Sequence, residues 1–177
     1  LSTGASYLDE IAEAVQVLRG FLPASLIGLL HCVLSYPTAT KDANLRAIEH
    51  LTRSFPGHPI GYSDHVPPDP AMLVLTRAAL LGATIIEKHF TLDRADGGVD
   101  STFSLEPAEL SSLVRETERA WQGLGKVSYG PTKAEMNAVT RRRSIYIVED
   151  LTAGTVLTRQ NIRCIRPGHG LAPKFYG

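Results

Sequence analysis

Two imidazoles, His65 and His89, stand 24 residues apart, and each closes a short apolar run: Ile60-Gly61-Tyr62-Ser63-Asp64-His65 and Thr84-Ile85-Ile86-Glu87-Lys88-His89. Residues that follow consecutive strands of a parallel sheet are neighbours at its carboxyl edge, where such folds carry their chemistry. Their equivalent placement predicts that both rings turn toward one point and share a divalent cation. Two imidazoles suit zinc, manganese, iron or cobalt, but a site usually has three or more ligands, so another donor must come from elsewhere. Taken singly, either histidine reads first as a capping or hydrogen-bonded loop residue; only their equivalent placement makes the cation reading its equal. Asp100, in Asp96-Gly97-Gly98-Val99-Asp100-Ser101, lies on a long polar loop over the same rim and by itself reads as a turn former.

The other strand ends are polar too. Ser2 and Thr3 follow the first, Ser35 and Tyr36 the second, and Ser63 and Asp64 lead into His65. Ser2 and Ser63 are candidate contacts for phosphate or carboxylate. Lys88 is expected to turn away if His89 faces the site, because neighbouring strand residues point to opposite faces. Cys32 has no base at catalytic spacing and reads as a small buried hydrophobe. Near the other end, Arg166 stands before Pro167, Gly168 and Gly170, and a guanidinium held on a tight loop there suits a carbonyl or carboxylate.

Positioning these groups requires alternating strands and helices, and the periodicity supplies them. Ser6 and Asp9 open an amphipathic run through Ile11, Val15 and Leu18 to Gly20. Ser25 to Val33 reads as a strand buried on both faces. Asp42 or Asn44 caps a helix carrying Leu45, Ile48, Leu51 and Phe55, and Asp69-Pro70 opens another through Leu73, Leu80 and Leu81. Pro107 starts a fourth, with Leu110, Leu113, Val114, Thr117 and Trp121 on one face. Strand and helix recur about every 30 residues, the period of a (β/α)₈ barrel or a doubly wound sheet, and residues 1–125 hold about half of the roughly 250 residues a barrel needs. Residues 126–143 read as a linker, and 144–177 as the start of a small β-rich module with strands over Ser144–Val148 and Asn161–Ile165.

The chain carries 18 Lys+Arg against 18 Asp+Glu, so nothing in its charge favours nucleic acid or a membrane surface. It reads as soluble and cytoplasmic, with Cys32 and Cys164 reduced. Leu1-Ser2-Thr3-Gly4 has no initiator Met and reads as the last residues of a strand. Leu171 to Gly177 reads as the entry to a helix. A piece of a longer protein is expected.

The strings Leu30-His31-Cys32-Val33, Tyr36-Pro37-Thr38, Ile60-Gly61-Tyr62-Ser63-Asp64-His65, Ile86-Glu87-Lys88-His89-Phe90-Thr91-Leu92-Asp93 and Arg166-Pro167-Gly168, in this order, resemble the sialic acid (nonulosonic acid) synthase family. Gly97-Gly98-Val99-Asp100-Ser101-Thr102-Phe103-Ser104, Arg142-Arg143-Ser144-Ile145-Tyr146 and Gly168-His169-Gly170-Leu171-Ala172-Pro173-Lys174 are most similar to its pseudaminic acid synthases. The resemblance implies an α/β fold: the C-terminal half of a (β/α)₈ TIM barrel followed by part of an antifreeze-like (SAF) domain, truncated at both ends. It also implies condensation of phosphoenolpyruvate with an open-chain N-acylated amino sugar, with N-acetylneuraminate or legionaminate synthesis as the alternative. A truncated, non-catalytic sugar-binding or assembly module is the alternative of another class, and the isolated fragment is expected to be inactive. By the same resemblance His65 and His89 hold manganese, with magnesium or cobalt as alternatives. Ser2 and Ser63 match positions that meet phosphoenolpyruvate, and Tyr36 and Asp100 match positions near the sugar. Arg166 matches an arginine that reaches the N-acyl group across a homodimer with exchanged antifreeze-like domains. Leu34 departs from the Asn or Ser common there and cannot donate a hydrogen bond, a role open to Ser35 only if its loop shifts.

Overall fold

The computed structural model describes residues 1–176, and the chain divides into two compact units, Leu1–Gly125 and Lys126–Gly177. In the first, β1 (Leu29–Cys32), β2 (Ile60–Asp64) and β3 (Ile85–Lys88) form a parallel sheet in the order β1-β2-β3. The chain start lies along its edge: Ser2 bridges Leu30, Leu30 N–H donates to Leu1 O at 2.8 Å, and Thr3 N–H to Leu30 O at 2.9 Å. Residues 1–3 therefore continue the sheet as a parallel strand end. Helices α1 (Leu8–Arg19), α2 (Arg46–Ser54), α3 (Leu73–Leu80) and α4 (Pro107–Leu124) alternate with the strands, since parallel neighbours need a crossover long enough for a helix.

The register pairs Leu29 with Ile60, Tyr62 with Ile86, Ser63 with Glu87 and Asp64 with Lys88. One face of the sheet thus carries Leu29, Ile60, Tyr62 and Ile86. It packs under Ile11 and Val15 of α1, Ile48 and Leu51 of α2, Val74, Leu75 and Ala78 of α3, and Leu113 of α4. The other face carries Leu30, Gly61, Ser63, Ile85 and Glu87, of which Ile85 and Glu87 are exposed. Gly61 is demanded there: a Cβ would lie 2.6 Å from Ile85 O and 2.8 Å from Ile85 Cβ.

Several local expectations shift. The strand expected from Ser25 begins only at Leu29, because Ala24–Leu26 winds into a 3₁₀ turn after Pro23; an apolar run does not by itself distinguish the two. Ser6 Oγ turns back to Gly4 O, and α1 is closed one residue later, where the Glu10 carboxylate accepts the Tyr7 N–H at 2.7 Å. Neither Asp42 nor Asn44 caps α2; Thr40–Asp42 is a 3₁₀ turn and Asn44 takes the left-handed conformation at φ 47°. Asp69 does hold the start of α3, accepting N–H groups from Ala71 and Leu73, although Pro70 precedes the helix. Pro107 opens α4, where the Glu109 carboxylate accepts the Glu106 N–H at 2.9 Å.

In the second unit the segment 126–143 is more than a linker: Lys133–Glu135 is a 3₁₀ turn and α5 spans Met136–Val139. β4 (Ser144–Ile147) and β5 (Ile162–Ile165) pair antiparallel, with Leu171 bridging Ile145. Asn161 secures the connection by accepting from Thr158 N–H at 2.7 Å and donating to Val156 O. Where the sequence led to a helix entry, Pro173–Phe175 makes one 3₁₀ turn; Gly177 lies outside the described residues. Among the described residues no helix is long and apolar enough to cross a membrane.

Candidate active site

His65 leaves the end of β2 and is buried, with Nδ1 2.8 Å from Val33 O. A carbonyl only accepts, so Nδ1 carries the hydrogen, and Nε2 is the atom that holds a lone pair in the neutral ring. His89 leaves the end of β3, and its ring centroid lies 5.3 Å from that of His65, the planes nearly perpendicular at 81°. The two rings converge, as their equivalent positions predict, and Phe103 backs both at 5.0 Å from His89 and 6.0 Å from His65. The Tyr36 ring lies 4.2 Å from that of His65, tilted at 44°, while half of the residue faces solvent.

Asp100 comes to the same place. Its Oδ2 lies 3.3 Å from His89 Nδ1, so the residue that reads as a turn former does stand in a turn, before Ser101–Phe103, and also faces an imidazole. The loop is delivered by fixed contacts. His89 O accepts the Leu105 N–H, Thr91 N–H donates to Leu105 O, and the Arg94 guanidinium joins Ser104 O, Glu106 and both oxygens of Glu109 at the start of α4. The cation beside Glu109 holds that carboxyl below its ordinary range. A cleft of about 270 Å³ opens here, lined by His89, Thr91, Gly98, Asp100, Ser101 and Ser104 among others. A larger one, about 500 Å³, lies between α1, the end of β1 and α2; its buried imidazole, His31, is committed to Ala43 O at 2.9 Å.

The serines are placed differently. Ser2 Oγ lies 2.9 Å from Cys32 Sγ, and Ser63 Oγ donates to the Glu87 carboxylate, a partner that local sequence patterns do not indicate. The i to i+24 register of β2 and β3 is the signal that could have found it, since it sets Ser63 beside Glu87 on one face. Ser35 Oγ donates to Pro37 O at 3.0 Å within its own exposed loop, and Leu34 is exposed beside Gly4. Lys88 does point away: Nζ lies 2.8 Å from Asp64 Oδ2, and both side chains are 2% exposed. Asp64 also accepts from Tyr62 Oη, and burial together with that carboxylate drives the Tyr62 phenol far above its ordinary range. In the second unit, Arg166 follows the end of β5 and precedes Pro167, whose carbonyl accepts from Tyr146 Oη at 2.9 Å.

For a divalent cation the donor set is incomplete. His65 presents Nε2 while its Nδ1 hydrogen is tied to a carbonyl, the arrangement that metal-ligating imidazoles use. No group of three or more His, Cys, Asp or Glu side chains gathers to hold a metal among the described residues.

Residues 1–129 match the model of the NeuB family, and residues 142–177 match that of the SAF domain. The chain belongs to the NeuB family. It is 36% identical over 98% of its length to the N,N'-diacetyllegionaminic acid synthase of Legionella pneumophila, covering 49% of that protein. It is 34% identical to a pseudaminic acid synthase of Campylobacter jejuni, covering 99% of this chain and 50% of that one. Among solved structures, the N-acetylneuraminic acid synthetase of Leptospira borgpetersenii, determined with citrate, superposes with a TM-score of 0.70 at 42% identity over 78% of this chain and 47% of that one. The chain thus spans about half the length of the curated relatives it matches. The sialic acid synthase resemblance carried by the motifs is met.

Proposed function

We propose that this chain is part of a nonulosonic acid synthase that joins phosphoenolpyruvate to an open-chain N-acylated amino sugar, with a pseudaminic acid precursor as substrate. The unit Leu1–Gly125 is read as the C-terminal half of a (β/α)₈ barrel and 144–177 as part of an antifreeze-like domain. The parallel β/α alternation, the polar strand ends and the half-length match support that reading. What carries the function is the convergence of His65 and His89, 5.3 Å apart by ring centroid, with Asp100 at the outer imidazole.

In the proposed mechanism His65 and His89 hold the cation, manganese first, through ring nitrogens. When bound, the ion supplies a Lewis acid for the aldehyde oxygen of the sugar. Val33 O keeps His65 in the tautomer that leaves Nε2 free, and Asp100 aligns His89 through Nδ1. Tyr36 and Phe103 wall the site, and the exposed face of Tyr36 offers the sugar a stacking surface. Ser2 and Ser63 are read as contacts for phosphoenolpyruvate. C3 of phosphoenolpyruvate forms the new bond to the aldehyde carbon, water adds at C2, and phosphate departs with C–O cleavage. In a homodimer that exchanges antifreeze-like domains, Arg166 would receive the N-acyl group.

The test uses the intact protein, phosphoenolpyruvate and a panel of N-acylated amino sugars, with phosphate release as the readout. His65→Ala with His89→Ala should abolish turnover and Mn²⁺ binding, and the sugar giving the highest kcat/KM assigns the substrate. Mn²⁺ binding that survives both substitutions would refute the ligand assignment. The legionaminate or neuraminate reading replaces the pseudaminate one if those sugars turn over faster.

A further inference from the structure

The proposed mechanism makes no use of the most deeply buried charges near the site. Asp64 and Lys88 occupy matched positions on β2 and β3, each directly before one of the two converging histidines. Their side chains turn to the opposite face and meet at 2.8 Å, both 2% exposed. Asp64 Oδ1 also accepts from Tyr62 Oη at 2.9 Å and from Val66 N–H at 3.1 Å, while Lys88 Nζ donates to Val66 O as well. The pair therefore joins the two strand ends and grips both polar groups of the residue that follows His65. Lys88 Nζ also sits 5.8 Å from the centre of the Phe103 ring, which backs both imidazoles.

A buried ion pair contributes little net stability, because the Coulomb gain is offset by the loss of water from both charges; what it fixes well is relative position. Here each charge is one residue from an imidazole, so a displacement of either strand end moves a histidine with it. We propose that Asp64 and Lys88 are positioning residues that set the spacing of His65 and His89, and through it their joint affinity for a divalent cation. The proposal rests on the reading of His65 and His89 as ligands, which the double alanine variant tests separately.

The experiment measures Mn²⁺ affinity by calorimetry and thermal unfolding for the intact protein and four variants. Asp64→Asn with Lys88→Met removes both charges at similar bulk. The expectation is a folded protein whose Mn²⁺ Kd rises at least about 10-fold, the scale seen when partners behind metal ligands are removed. Leu113→Ala, in the core under α4, should lower the unfolding temperature and leave the Kd unchanged, which separates positioning from general loosening. Lys88→Arg keeps the charge but not a single nitrogen between Asp64 and Val66. It should fold and weaken Mn²⁺ several-fold, and this variant decides the matter if the charge-free pair does not fold. An unchanged Kd in either Asp64→Asn with Lys88→Met or Lys88→Arg, in folded protein, overturns the proposal. So does an equal loss in Leu113→Ala. Mn²⁺ binding that persists in His65→Ala with His89→Ala overturns the ligand reading and this proposal with it.

Discussion

Replacing Gly61 by alanine sets two effects against each other, and the structure says which is larger. Gly61 lies in the central strand with a backbone conformation open to any residue, so alanine there should stabilise through the unfolded chain by about 0.4–1 kcal/mol. Against this, the new methyl would stand 2.5 Å from Leu30 Cδ2, 2.6 Å from Ile85 O and 2.8 Å from Ile85 Cβ. Leu30 can rotate away. Ile85 O and Cβ cannot, because they belong to β3, held to β2 by its ladder. Relief demands that β3 withdraw by several tenths of an ångström, an overpacking cost of about 1–3 kcal/mol. The expected net effect is destabilisation by about 1–2 kcal/mol, or roughly 2–8 °C in Tm for a chain of this size or somewhat larger. Gly28→Ala is the control. Its nearest neighbour would be the mobile Cδ1 of Ile85 at 3.1 Å, so it should change stability by less than about 0.5 kcal/mol. Thermal unfolding of the intact protein measures both. If Gly61→Ala is as stable as Gly28→Ala, the strands are not packed as tightly as argued, and the spacing of the residues beyond them loses its basis.

The acid response should come in part from His31. Burial lowers its pKa in the folded protein, so between that value and the ordinary one near 6.5 the unfolded chain binds more protons and stability rises with pH. The contribution is complete above about pH 6.5 and is lost on acidification at up to about 1.4 kcal/mol per pH unit; His31→Gln should flatten that part of the curve in equilibrium unfolding between about pH 5 and 7. An equally steep curve in the variant would assign the acid response to other groups. Arg94→Ala should release the loop that brings Asp100 to His89, read as faster limited proteolysis within residues 94–104 with little change in unfolding temperature. Unchanged cleavage would mean that the Leu105 backbone bonds hold the loop unaided.

The convergence of His65 and His89 was legible because β2 and β3 are parallel and both histidines follow at the same offset. Alternation alone then turned Lys88 away. What Lys88 meets was not legible, since its partner Asp64 is set by inter-strand register, a long-range property that no local window contains. Asp100 stands in the turn its local sequence indicates, but the imidazole it faces was not legible, for the same reason. Its turn chemistry is local, but its partner arrives through Arg94, Glu109 and Leu105, which lie up to nine positions away. Along α4 the reverse holds. The apolar stripe was plain, yet only Leu113 of it is buried, and Trp121 remains 69% exposed, because periodicity marks a face without saying what covers it. The run from Ser25 shows the limit for strands, where Pro23 favours a turn that hydropathy cannot see.

The row Ser2, Cys32, Ser63 and Glu87 constrains how an anion could be received. Ser63 has one hydroxyl hydrogen, and Glu87 takes it. A phosphate or carboxylate approaching Ser63 would therefore meet lone pairs, so the serine can donate to it only after the Glu87 carboxyl group turns away. Ser2 has more freedom, because its partner Cys32 is a weak donor and a weak acceptor and yields its place at small cost. If both serines touch phosphoenolpyruvate, as proposed, Ser2 is ready to do so and Ser63 is gated by Glu87.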